Sequence, residues 1–359
     1  MRPSRPASPT APSPGRVDVP PLRPRGVRAG ARLIVALAFA VIAGLAAGAR
    51  AATVEINAQA LPLNPDRPND LRVGRLEYRG GLTLASPDKR FGGFSSLSVS
   101  RDGAELLTLS DHGYWLKARP LYDERGRLTG LDSGQMGTIP NLDGRPIGRT
   151  DVEAMAVLPS GETLLAFEDV HRLWLYPASK TPFGQRPTVF RQPSGLANAP
   201  RNGGIEALTR LNDGRLLAIA AKLPAAGREG AAANAAWVGG APGWRRLSYQ
   251  RTGAYLPADA ATLPPATRWE GNVVVAERSF NIVDGISIRI VLVPFDQIRP
   301  GHRMVGTEIA RFARPLMFDA VEGVAARRGP QGETLLYFIT DDNYSPVQRT
   351  LLQLFELKE

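Results

Sequence analysis

The 359-residue chain has no cysteine and only three histidines, His112, His171 and His302. Without cysteine there are no disulfides, thiolate metal sites or cysteine nucleophiles, so stability has to come from the packed core. No metal-ligand spacing links the three histidines, which argues against a zinc site. Also missing are a G-x-S-x-G nucleophile elbow, a Walker-type loop and a dinucleotide glycine motif. A basic face is absent as well, although the net charge is +10. Eight arginines (2, 5, 16, 23, 25, 28, 32 and 50) fall in the first 51 residues against a single acid, Asp18, and the remainder is close to neutral. A nucleic-acid footprint would persist in the folded domain, so no nucleic-acid partner is expected.

The N-terminal arginines read instead as an export address. They precede the apolar run Leu33 to Ala49, which ends in Ala49-Arg50-Ala51. That is the order of a secretory signal peptide over residues 1–51, with cleavage after Ala51. A single domain over residues 52–359 follows, and its expected location is the periplasm or the exterior. The Pro-rich leader is long for such a signal, and a later start near Val27 would shorten it. The alternative is an uncleaved anchor, since seventeen apolar residues come close to spanning a bilayer. Membrane contact is expected only through that segment.

What the rest of the chain does have is self-similarity. A small or acidic opening, a strand, a Gly turn and a second apolar strand recur at Gly93–Gly113, Asp151–Tyr176, Gly204–Lys222, Asp259–Phe280 and Asp319–Tyr344. Aligning Ser95, Glu153, Glu206, Ala260 and Glu322 gives a period of 53 to 62 residues. Turns such as Arg101-Asp102-Gly103 and Asn212-Asp213-Gly214 suit tight hairpins. The second strands (ELLTL, TLLAF, RLLAI, NVVVA, TLLYF) are apolar on both faces, as strands sandwiched between stacked sheets are. Together these predict an all-β propeller of five or six four-stranded blades. The segment Arg72 to Leu84 and the terminal TLLQLFEL are expected to pair and close the ring, which removes open edges. Two β-sandwich domains, the competing architecture, predict closer turn signals and no self-similarity.

The segments DVEAMAVLPSGETLLAFED, GGIEALTRLNDGRLLAIAAK, VVVAERSFN and above all DDNYSPVQRTLL resemble the bacterial phytase-like domain family, over roughly Val73 to Leu357. Its members are labelled as having esterase-like activity of phytase. The resemblance implies an exported β-propeller with acidic residues gathered toward one face, and phosphoester or ester hydrolysis.

In a propeller the starts of one strand class meet at one end of the channel, so Glu153, Glu206 and Glu322 should converge. The second strands end in another acidic set, Asp111, Glu168, Glu277 and Asp341, joined by Asp169 and Asp342. Converging carboxylates need neutralising. Calcium is the natural cofactor, because hard oxygen ligands suit it, with Glu153, Glu206, Glu322, Asp111, Glu168 and Asp341 as candidate ligands. Arginines are the other solution: Arg278, Arg349 and Arg149 stand near these acids and suit phosphate recognition. The candidate catalytic set is Asp341, Asp342, Arg349, Arg278 and Glu277, acting on a small phosphorylated or ester substrate. The acids opening each blade have a structural alternative, which is to bind backbone amides of the neighbouring blade. The third unit reads Ala220-Ala221-Lys222 where its siblings end in acids, so the acidic ring is incomplete. Two other functions stay open. One is a non-catalytic envelope ligand-binding or scaffold propeller, with Tyr114, Trp115, Trp174, Phe280 and Tyr344 beyond the strand ends. The other is a carboxylesterase, against which count the missing nucleophile elbow and the mere adjacency of Ser110, Asp111 and His112.

Overall fold

The five sequence units become five antiparallel sheets in the computed structural model, which describes residues 51–148, 151–283, 285–345 and 347–359. The expected signal segment up to residue 50 and Arg149 lie outside the described residues. Blade 1 runs outward from Phe94–Val99 through Leu106–Ser110, Tyr114–Tyr122 and Leu128–Thr138. Blade 2 is Val152–Val157, Thr163–Phe167, Arg172–Tyr176 and Thr188–Phe190. Blade 3 is Ile205–Arg210, Leu216–Pro224, Ala233–Gly240 and Gly243–Gln250, and blade 4 is Leu256–Thr262, Val273–Asn281, Gly285–Val293 and Thr307–Phe312. Blade 5 combines Ala320–Arg328, Thr334–Asp341 and Thr350–Leu357 with Leu76–Ala85 from the other end of the chain. The expected closure is therefore present, with Thr350 opposite Leu84 and Leu357 opposite Leu76. The architecture is a five-bladed propeller, and the two-sandwich alternative falls. Short edge strands raise blades 1, 3 and 5 above four strands.

The core explains the doubly apolar second strands. Five buried clusters fill the five gaps between neighbouring blades. Leu109, Trp115, Leu165 and Phe167, for example, pack between blades 1 and 2, and Leu217, Val238, Val273 and Val275 between blades 3 and 4. Each sheet is thus buried on both faces, at roughly 1.5–3 kcal/mol per large apolar side chain. Trp115 and Trp174 belong to this packing.

One irregularity repeats in every blade. The inner strand carries a β-bulge near its start, and the residue left out of the register is Ser95, Glu153, Glu206, Ala258 or Glu322. A bulge turns its extra residue away from the ladder and re-aims its side chain. Here it does so at the same end of all five inner strands. The fourth unit's equivalent is Ala258, two residues before the expected Ala260, because the sequence alignment could not see where the register slips. The residue after the bulge is small in four blades: Ser96, Ala154, Ala207 and Gly323. Inner strands crowd at the axis, and a Cβ on Gly323 would lie 2.8 Å from the Ser96 carbonyl carbon of blade 1.

Candidate functional site

The bulges and the ends of the second strands share one mouth of the channel. Antiparallel pairing places Asp111, Glu168, Ala221, Arg278 and Asp341 at equivalent positions, each one residue beyond the partner of the residue preceding the bulge. Glu277 does not belong to this ring. It lies one residue earlier and so on the opposite face of its strand. It is 1% exposed, accepts a hydrogen bond from Tyr249 Oη at 2.6 Å, and faces the Arg289 guanidinium at 3.4 Å. The expectation that Glu277 joins the acidic cluster is corrected accordingly, and Arg278 holds the ring position.

Hydrogen bonding divides the remaining acids into two kinds. Some hold neighbouring blades together, as the structural alternative foresaw. Glu168 accepts the Gly204 N–H across the gap between blades 2 and 3. Asp259 accepts the N–H of Val324 in blade 5 and of Ala260 in its own strand, both at 2.8 Å. Asp342 accepts the Gly93 and Tyr344 N–H groups at 3.0 Å and the Thr350 hydroxyl at 3.1 Å, tying blade 5 to blade 1. Glu322 is ion-paired with Arg278.

The second kind has little or no compensation. Glu153 and Glu206 have no hydrogen-bonding or ion-pair partner among the described residues, although Glu206 is only 8% exposed. Asp341, 7% exposed, accepts a single backbone hydrogen bond, from Asn343 at 2.7 Å. Burial, and then repulsion from Glu168, pushes Glu206 up to about 7 against the opposing charges of Arg278 and Lys222. Burial also lifts Asp341 to about 7, with Asp111 and Asp342 adding to it and the Asn343 amide and Arg278 pulling back. Glu153 is driven well above the carboxylate range by burial and then by Glu206, Glu168, Asp151 and Asp111. Asp111 and Glu168 are raised too, chiefly by burial.

The rim also holds unusual backbone. Asp151, Asp169, Asn343 and Tyr344 all have positive φ, between 46° and 57°. Such residues cost about 1–3 kcal/mol each and gather where the surroundings fix them for function. Tyr344 stacks on His112 with ring centroids 4.2 Å apart, and its hydroxyl meets Ser110 Oγ at 2.9 Å. Ser110 and His112 form no nucleophile–base pair, as their mere adjacency in sequence suggested. The His112 backbone N–H, rather than its ring, donates to Ser110 Oγ. Arg349 is exposed, and its side chain has no ion-pair partner among the described residues; its backbone N–H binds Asp319. Lys222, which stands where the sibling units end in acids, bears on Glu168 and Glu206.

For calcium, the donor chemistry fits: hard carboxylate oxygens, of which those of Glu153 and Glu206 make no ion pair among the described residues. The oxygens are not gathered, however. Among the described residues no three Asp, Glu or His side chains are grouped closely enough to hold a metal ion. A cavity of about 940 Å³ lies not at these carboxyls but at the opposite mouth.

A family model described as phytase-like, esterase-like activity of phytase, matches residues 89–344. The chain belongs to the phytase-like family. Its match contains every bulge residue and every ring acid named above, and ends on Tyr344. No curated protein matches the chain. Among solved structures, a protein described as a gluconolactonase aligns with TM-score 0.41 and 11% identity, over 87% of this chain and 95% of its own. A luciferin-regenerating enzyme gives 0.37 and 11%, over 75% and 93%, and a streptogramin B lyase 0.35 and 13%, over 78% and 97%. Similarity at this level says nothing about chemistry.

Proposed function

We propose that this phytase-like propeller is an exported hydrolase that cleaves phosphoesters at the acidic mouth with calcium as cofactor. One observation carries the reading: Glu153, Glu206 and Asp341 are carboxyls placed at the mouth by bulges and strand ends, yet largely unused in holding the blades together. Export rests on the Arg-rich and apolar N-terminal pattern alone.

Electrostatics makes the cation integral to the phosphoester reading. A phosphate dianion entering a mouth lined by uncompensated carboxylates is repelled, and the repulsion grows as the dielectric falls. Glu153 and Glu206, with Asp111 beside them, would hold the ion, and their side chains have to turn toward one another to do so. Calcium, when bound, would neutralise phosphate oxygens and polarise the phosphoryl group. Arg278 occupies a ring position at the mouth, and its guanidinium can exchange Glu322 for a phosphate oxygen. Asp341, poised near neutrality, suits proton transfer to the leaving oxygen or from the attacking water.

A second reading has its own support. A neutral carboxylic ester meets no such repulsion, and two carboxyls titrating near 7 can serve as acid and base without a metal. The experiment is turnover of 4-nitrophenyl phosphate and 4-nitrophenyl acetate by purified protein, in calcium and in chelator. Calcium-dependent phosphate release supports the proposal. Chelator-resistant acetate cleavage alone moves the assignment to the carboxylester reading. Absence of both, with calcium still raising the melting temperature, makes the protein a binding module.

A further inference from the structure

The channel's other mouth has the opposite character. The cavity of about 940 Å³ is lined by the last residues of all five inner strands: Val99, Val157, Arg210, Thr262 and Arg328. Its deep wall is apolar, formed by Leu97, Met155, Leu208 and Val324, each at most 6% exposed. Its charged groups are six arginines (79, 101, 125, 210, 327 and 328) against four acids (Asp102, Asp123, Glu124 and Glu333). Three of the acids are occupied locally, Asp102 by the Ala104 N–H and Ser100 hydroxyl, Asp123 by the Arg125 and Arg127 N–H groups, Glu333 by the Gln331 N–H, whereas Glu124 at the exposed rim has no side-chain partner among the described residues.

Three arginine side chains are left over, Arg101, Arg210 and the exposed Arg125. Arg210 Nε is shut off from solvent with no hydrogen-bond partner. Arg101 has no side-chain hydrogen bond or ion pair among the described residues. A buried donor without an acceptor costs about 1–3 kcal/mol, and an arginine fork matches a planar or tetrahedral oxyanion. An apolar cavity of a few hundred to about 1,000 Å³ with a few placed polar groups is the usual form of a small-molecule site.

We infer that this lower mouth binds a small organic anion with an apolar body, its charged head on Arg210 and Arg101 and its body against Leu97, Met155, Leu208 and Val324. The site is separate from the acidic mouth. Acidic residues crowd one end of the channel, and arginines outnumber acids six to four at the other, so an anion is repelled from the first and favoured at the second.

The test uses octanoate as probe, with calorimetry on the mature chain. Octanoate binds, whereas acetate, which lacks the body, and octan-1-ol, which lacks the charge, bind at least about tenfold more weakly. Arg210→Leu weakens octanoate about ten- to a hundredfold, as loss of a charge-assisted hydrogen bond does, while Arg210→Lys retains part of the binding. Asp341→Asn, at the acidic mouth, leaves it unchanged, so this result stands apart from the catalytic proposal. If Arg210→Leu does not fold, Arg101→Ala, in an exposed turn, carries the same comparison. No octanoate binding by folded wild type, or equal binding by wild type and the folded arginine variants, overturns the inference.

Discussion

Replacing Glu206 by glutamine separates a functional carboxyl from a structural one. Glu206 is buried, has no partner and titrates near 7 in the folded chain against 4.5 when free. At 1.36 kcal/mol per unit, a shift of this size is worth on the order of 3 kcal/mol. The sign follows from proton binding. Between about pH 4.5 and 7 the folded chain holds a proton that the unfolded chain has lost, so stability falls as pH rises through that window. Glutamine cannot ionise. Without calcium, Glu206→Gln should match wild type near pH 4.5 and exceed it by up to about 3 kcal/mol above pH 8. Urea unfolding at both pH values in chelator measures the difference between the two proteins, in which the other titrating groups cancel. A difference that does not change with pH would falsify the claim that Glu206 is an uncompensated buried acid. A variant equally destabilised at both pH values would show that the carboxylate has an unseen structural partner.

Four further outcomes are expected. Asp259→Ala leaves two buried N–H groups unpaired and should cost roughly 1–3 kcal/mol for each, read from the urea midpoint. Arg289→Ala strands the buried Glu277 carboxylate and should cost about 3–5 kcal/mol; the Tyr249 and Arg289 contacts make Glu277 structural, and a loss of turnover without a fall in melting temperature contradicts that. Calcium should raise the melting temperature more at pH 8 than at pH 5.5, because protons compete for carboxyls raised by burial and repulsion; equal shifts at both pH values argue against these ligands. Asp342→Ala should destabilise by losing three hydrogen bonds, whereas Asp341→Asn should spare the melting temperature and lower kcat by about 10²–10⁴-fold.

The ring was legible because each blade repeats the same apolar second strand and Gly turn. Its closure was legible because the first and last strands are both apolar and unpaired within their own units. Less visible was the bulge. It moves the equivalent residue from Ala260 to Ala258 and leaves Glu277 facing Tyr249 and Arg289 rather than the channel. Strand alternation makes a one-residue offset reverse a side chain's face, and no residue type announces the offset. Likewise Glu168 reads as a ligand and Asp342 as a catalytic acid in sequence, and only their amide partners reveal them as ties between blades. The basic cavity at the other mouth escaped notice because its arginines, Arg101 and Arg210, come from different blades and have no repeat partners.

The most direct measurement of the central claim is phosphomonoester turnover by wild type and Asp341→Asn, side by side, in calcium and in chelator. The account predicts calcium-dependent turnover by wild type and its loss, by at least about a hundredfold, in an Asp341→Asn protein that melts like wild type. Undiminished turnover by that variant, or turnover indifferent to calcium, would contradict it.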